Sequence, residues 1–143
     1  MYKKVLVAVD TSDESEEIIE YGARLRSETT IPMIIAHVVD LPSQAYVKWF
    51  TEVFMGPEQI KQASEARLIK LTEDLAIPVS VRVEIGHCVS KLLEIATKEQ
   101  VEVIVLGQHT RHGLNRYLGA TAIGVLHHAN CDVLAVKLRE RTT

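Results

Sequence analysis

The chain has 143 residues, of which 47% are hydrophobic. This length supports one compact domain with a good core but is too short for two ordinary domains. The formal net charge of -3 and the pI near 6.1 argue against general nucleic-acid binding. The apolar run near the N-terminus ends at Asp10, too early for a signal peptide or a membrane-spanning helix. We therefore expect a protein that is neither exported nor membrane-bound.

Five apolar runs indicate β-strands. Nearly continuous Val, Ile and Leu are typical of strands that are covered on both faces, whereas one weaker run alternates apolar and polar residues and indicates a strand at a sheet edge. In chain order the strands are predicted at residues 4–9, 33–39, 79–85 (the weaker run), 101–107 and 133–138.

Helical patterns fill the intervals between these strands. Thr11 and Glu14 predict a capping box at the start of the first helix. Each predicted helix then has one apolar face, made of Ile18, Tyr21 and Leu25 in the first, Leu68, Leu71 and Leu75 in the second, Val89, Leu92 and Ala96 in the third, and Leu118, Ala122, Val125 and Ala129 in the fourth.

The irregular segment 40–57 contains four of the seven aromatic residues of the chain, Tyr46, Trp49, Phe50 and Phe54. Apolar residues at helical spacing predict a satellite helix that packs on the domain. Two functional alternatives are a lid and a surface for a partner. The two cysteines, Cys88 and Cys131, have no CxxC spacing and are predicted to be reduced, partly buried residues of a cytosolic protein.

Alternating strands and helices imply a parallel sheet with right-handed crossovers and helices on both faces. The expected strand order is 3-2-1-4-5, which creates a crevice at the carboxyl ends of the first and fourth strands. Asp10 closes the first of these strands and Gly107 the fourth. We therefore expect these two residues to be neighbours.

The loop that begins at Gly107 resembles an anion cradle, because glycines and a helix N-terminus allow backbone N–H groups to approach a phosphate. Residues 103–131 contain no Asp or Glu but include Arg111, Arg116 and four histidines. "GATAIG" lacks the Lys and Ser/Thr of a Walker A motif, and neither GxGxxG nor GxSxG occurs. The histidines have no metal-ligand spacing, and no arrangement predicts catalytic residues.

With "KVLVAVDTSDES", "AHVVD", "VEVIVLG" and "GLNRYLGATAIGVLHHANCDVLAVKL", the chain resembles the universal stress proteins of the UspA-like superfamily over essentially its whole length, residues 1–143. The resemblance implies a flavodoxin-like, adenine-nucleotide α-hydrolase-like three-layer sandwich. It also implies a cytoplasmic homodimer formed through strand 133–138, with a role in survival under stress.

Members of this family that bind ATP carry a glycine signature. Gly107 matches its first glycine and Gly119 its last, whereas Thr110 replaces the second glycine and Ala120 replaces a Ser/Thr, with Thr121 directly after it. The two replacements are expected to weaken binding by about ten- to a hundredfold without abolishing it.

The resemblance extends to other positions of the nucleotide site. Asp10 matches an aspartate beside the ribose and phosphates, although an acid at a helix N-terminus is also an ordinary structural feature. The remaining matches are Val38 beside adenine, Ala8 at the floor, Leu106 next to Gly107, and His109 near the phosphates.

The sequence thus predicts a regulatory protein that binds ATP or AMP, with or without Mg²⁺. One alternative is a UspA-type protein without a nucleotide that acts through unknown protein partners. The other is a slow ATPase, against which the missing Walker lysine argues.

Overall fold

The computed structural model describes residues 1–27, 30–40, 56–108 and 119–138. In this part of the chain five strands alternate with four helices. The strands are β1 (Val5–Ala8), β2 (Met33–Asp40), β3 (Val79–Gly86), β4 (Val103–Gln108) and β5 (Asp132–Lys137). The helices are α1 (Ser15–Leu25), α2 (Pro57–Thr72), α3 (Cys88–Lys98) and α4 (Ala120–His128).

The strands form one parallel sheet in the order β3-β2-β1-β4-β5. This confirms the predicted fold class and strand order, and the weaker apolar run is an edge strand as expected. The winding reverses between β1 and β4, where Ala8 pairs with Leu106. Asp10, two residues beyond β1, and Gly107, the penultimate residue of β4, therefore lie at the same edge of the sheet, although β4 continues one residue past the predicted end at Gly107.

The core has two layers because alternate residues of each strand point to opposite faces of the sheet. Val5 and Val7 of β1 pack in the layer beneath α1 and α2, together with Ile18 and Leu68. Leu6 of β1 packs in the layer beneath α3 and α4. Helices on both faces explain why the strand sequences are almost continuously apolar.

The predicted capping box at the start of α1 is wrong. Helix α1 begins at Ser15 and has no side-chain cap hydrogen bond at its N-cap residue, Glu14. Instead Thr11 has a φ of 71°, and the loop folds around the Asp10 carboxylate, which accepts a hydrogen bond from the Ser12 amide.

Other boundaries differ from the sequence prediction by one or two residues. Strand β4 begins at Val103 and not at residue 101, because the Val101 amide donates to the Ala96 carbonyl at the end of α3. Helix α2 ends at Thr72, so Leu75 lies beyond it, although Leu75 still packs against the core layer that contains Leu68.

Some sequence predictions lie outside the described residues. These include the aromatic residues of segment 40–57 and Leu118 of the fourth predicted helix. Cys88 and Cys131 are free and partly buried, in agreement with their predicted state. Within the described ranges, no helix has the length and apolar character that crossing a membrane requires.

Candidate functional site

A cavity of about 240 Å³ lies at the carboxyl edge of the sheet, where β1 and β4 are adjacent. Parallel α/β sheets bind ligands at this kind of switch point. Within the described part of the chain, the cavity is lined by Ala8, Val9, Asp10, Ile18, Ala36, His37, Val38, Cys88, Leu92, Leu106, Gly107, Thr121 and Ala122.

The sequence-predicted site residues fall into three groups. The cavity lining includes Ala8, Asp10, Val38, Leu106, Gly107 and Thr121. Gly119 and Ala120 are the N-cap and the first residue of α4, near this lining but not part of it. His109 and Thr110 lie outside the described residues. Ligand contact by any of these residues stays a prediction.

Sequence reasoning missed several residues of the lining. Ala36 is paired with Ala8 in the sheet, so the strand register of β1 and β2 could have identified it. Cys88 and Leu92 come from α3, and no sequence motif marks them. Their position depends on how α3 packs against the sheet, which periodicity alone does not specify.

The Asp10 carboxylate organises the loop between β1 and α1. Its Oδ1 accepts hydrogen bonds from the Ser12 amide at 3.0 Å, the Ser12 hydroxyl at 2.6 Å and the Ser15 hydroxyl at 3.3 Å. Asp10 is itself exposed and lines the cavity. A carboxylate accepts hydrogen bonds and repels phosphate, so its chemistry suits the hydroxyl groups of a sugar.

The His37 side chain contributes a second polar group to the cavity. Its Nδ1 lies 2.8 Å from the Val9 carbonyl oxygen. Because a carbonyl only accepts hydrogen bonds, Nδ1 carries a proton and donates it to Val9. The interaction holds the ring orientation at the end of β2.

Two glycines of the predicted signature have opposite structural roles. A Cβ atom at Gly107 would lie 2.5 Å from Ile18 Cδ1, so a larger residue there would force the Ile18 side chain of α1 to shift. A Cβ at Gly119 would meet nothing within 4 Å, and Gly119 has an ordinary φ of -65°. Steric crowding therefore does not explain why residue 119 is a glycine.

Cys88 connects α3 with α4 at the cavity wall. A hydrogen bond joins its thiol to the Thr121 side chain. Burial raises the pKa of this thiol, an effect that the hydrogen bond opposes and the charge of Asp40 reinforces. Cys88 is therefore a neutral thiol near pH 7.

The electrostatics of the cavity favour an anion at one end. The first turn of α4 has no acidic side chain, so the partial positive charge of this helix N-terminus is not neutralised by its own residues. Among the described residues, no group of three or more His, Cys, Asp or Glu side chains is arranged to hold a metal ion. The cavity thus combines apolar walls, a carboxylate at Asp10 that can accept hydrogen bonds from hydroxyl groups, and a helix N-terminus.

Comparisons with known proteins agree with this geometry. The family profile described as "Universal stress protein family" matches residues 1–137. Universal stress protein A homolog 1 of Coxiella burnetii is 35% identical over 145 residues, which cover 97% of this chain and 99% of the relative. Universal stress protein A homolog 2 of the same organism is 29% identical and covers 96% of this chain and 97% of its own.

Solved structures are also similar. Protein MJ0577, with 27% identity, superposes with a TM-score of 0.73 over 99% of both chains. A universal stress protein in complex with cAMP has 24% identity and a TM-score of 0.60, and the match covers 94% of this chain and 96% of the cAMP-bound chain. An Arabidopsis thaliana family member with AMP bound has 14% identity and a TM-score of 0.62, covering 96% and 92%. The last two comparisons support the fold alone. The family profile over residues 1–137 and the 35% identical relative show that this chain belongs to the universal stress protein family.

Proposed function

We propose that this protein binds an adenine nucleotide, ATP or AMP, and acts as a regulator in the stress response. The observation that carries the proposal is the cavity at the switch point between β1 and β4, with Asp10 at its edge and Thr121 of the α4 N-terminus in its wall. Two structural neighbours support it, since one was solved with cAMP and the other with AMP.

The residues present fit the parts of such a ligand. Apolar walls such as Val38 and Leu106 suit a planar base, and the Asp10 carboxylate suits ribose hydroxyls. The volume of 240 Å³ is below the range of about 300–1,000 Å³ for drug-sized ligands. The cavity thus suits the base and sugar, and the phosphates would extend towards the N-terminus of α4.

Titration calorimetry with AMP and with ATP, each with and without Mg²⁺, tests the proposal. Saturable heat and a rise in melting temperature that grows with nucleotide concentration are expected. The absence of both at millimolar nucleotide would overturn the proposal and favour a protein that acts through its partners alone. Steady phosphate release from ATP that is lost in Asp10→Ala would instead favour the slow ATPase.

Gly119→Ala is the most specific variant for this test. Its Cβ would occupy the open space in front of α4, where the phosphates are proposed to approach, so affinity should fall by about tenfold. Gly56→Ala is a matched control, because Gly56 is the N-cap of α2 with nearly the same backbone angles, φ -72° and ψ 158°. Equal affinities of the two variants would contradict the proposed phosphate position.

The altered signature can also be tested. Ala120→Ser adds a hydroxyl to the first residue of α4, and Thr110→Gly restores the second family glycine. The double variant should bind nucleotide about ten- to a hundredfold more tightly. Unchanged affinity would mean that residues 110 and 120 do not weaken a nucleotide site.

We also propose a cytoplasmic homodimer that pairs through strand 133–138, with further protein partners. Within the described residues β5 hydrogen-bonds only to β4, and an uncovered edge strand invites pairing with a second copy. Sedimentation at micromolar concentration should give the dimer mass. A monomer mass would refute this assembly.

A further inference from the structure

We propose that Arg67 of α2 is a positioning residue for the loop that carries Asp10. Its Nε donates a hydrogen bond to the Thr11 carbonyl oxygen at 3.3 Å, and its Nη2 pairs with Asp13 Oδ1 at 2.5 Å. One guanidinium thus holds both sides of Ser12. Arg67 does not line the cavity in the described part of the chain, so it would act through the loop.

The backbone of the loop explains why such a clamp is needed. Thr11 has a φ of 71°, a region that a β-branched residue rarely occupies without support from its surroundings. Arg67 donates to the carbonyl oxygen of the Thr11–Ser12 peptide group, and the Asp10 carboxylate accepts from the N–H of the same peptide group, so both of its polar atoms are held. Loss of Arg67 should allow Thr11 to relax, and Asp10 would lose its orientation towards the cavity.

The structure contains a similar ion pair that does not contact the loop carrying Asp10. Arg82 Nη2 pairs with Glu99 Oε1 at 2.6 Å, and the Arg82 side chain is 32% exposed against 37% for Arg67. Neither Arg82 nor Glu99 lines the cavity. Because partly exposed ion pairs contribute little to stability, Arg67→Ala and Arg82→Ala should lower the melting temperature by similarly small amounts.

Hydrogen exchange in the free protein tests the positioning role without any ligand. The Ser12 amide donates to Asp10 Oδ1, and the Ser15 amide donates to the Ser12 carbonyl oxygen at 3.0 Å. In Arg67→Ala both amides should exchange about tenfold faster than in the unmodified protein, and in Arg82→Ala they should be unchanged. Equal exchange in the two variants would overturn the proposal.

The consequence for binding rests on the proposed nucleotide function and is measured by AMP titration. Arg67→Ala should weaken AMP binding by about tenfold and Arg82→Ala should not. Thr11→Gly in the Arg67→Ala background should recover part of the loss, because glycine adopts a positive φ without strain. Failure of this rescue, or equal affinities of the two arginine variants, would overturn the coupling to the ligand.

The two tests separate the hypotheses. If the unmodified protein binds no AMP, the proposed function is wrong, and the exchange rates of Ser12 and Ser15 still decide whether Arg67 positions the loop. If AMP binds normally to Arg67→Ala, the proposed function stands and the coupling of Arg67 to the ligand is wrong.

Discussion

Gly107 lies in contact with Ile18, and this contact allows a stability change to be calculated for Gly107→Ala. The added Cβ would lie 2.5 Å from Ile18 Cδ1 and 3.2 Å from Leu138 Cδ1. Ile18 and Leu138 are only 2% and 4% exposed, so although Ile18 also borders the cavity, either side chain would have to repack against buried neighbours to make room for the new Cβ. Overpacking of this kind costs about 1–3 kcal/mol, which should lower the melting temperature by roughly 3–10 °C.

Ile18→Val supplies the matched test, because it removes the Cδ1 atom that makes the shortest contact. The next nearest Ile18 atom, Cγ1, would be 3.2 Å from the new Cβ, a distance that small shifts can accommodate. Alone, Ile18→Val should cost about 0.5–1.5 kcal/mol. In the Gly107→Ala background it should instead relieve the overlap, so the two changes should be non-additive by about 1 kcal/mol or more.

Urea denaturation followed by circular dichroism measures all four proteins of this cycle. Additive effects, or a Gly107→Ala protein as stable as the unmodified one, would refute the packing argument. Packing against Ile18 would then not explain the glycine at position 107. The predicted result separates the two signature glycines, since Gly107 would serve folding and Gly119 the proposed phosphate approach.

Three further predictions concern side chains with shifted pKa values. AMP should slow maleimide alkylation of Cys88, which lines the cavity, but not of Cys131, which lines a different one; equal protection of both would contradict the proposed ligand position. Burial raises the pKa of both thiols, so their alkylation rates should keep rising as the pH increases beyond the usual thiol pKa of about 8.5. A rate that levels off below this pH would contradict the raised pKa values. Hydrogen bonds from the backbone amides of Lys3 and Lys4 lower the pKa of Glu102. The Glu102 carboxylate should therefore stabilise the fold fully at pH values above its unfolded-state pKa. This stabilisation should be lost as the pH falls through the lower folded-state pKa. In Glu102→Gln the melting temperature should therefore fall less as the pH is lowered. An unchanged fall would show that these hydrogen bonds do not affect stability.

Much of the fold could be predicted because local pattern and chain chirality leave few arrangements. Continuous apolar strands require cover on both faces, and right-handed crossovers restrict the strand order. This strand order alone places Asp10 and Gly107 at the same edge of the sheet. The capping box at Thr11 failed because α1 begins only at Ser15, and the loop before it is held by hydrogen bonds from Ser12 to the Asp10 carboxylate, which the sequence pattern does not show.

The sequence by itself determined the family resemblance, the sheet order and the edge of the sheet at which the candidate site lies. Only the tertiary structure decided which side chains complete that site. Cys88 reaches the cavity from α3, and Arg67 reaches the Asp10 loop from α2. The physical reason is that strand order depends on hydrophobic pattern and handedness, which are local, whereas these contacts depend on how each helix packs against the sheet and its neighbours.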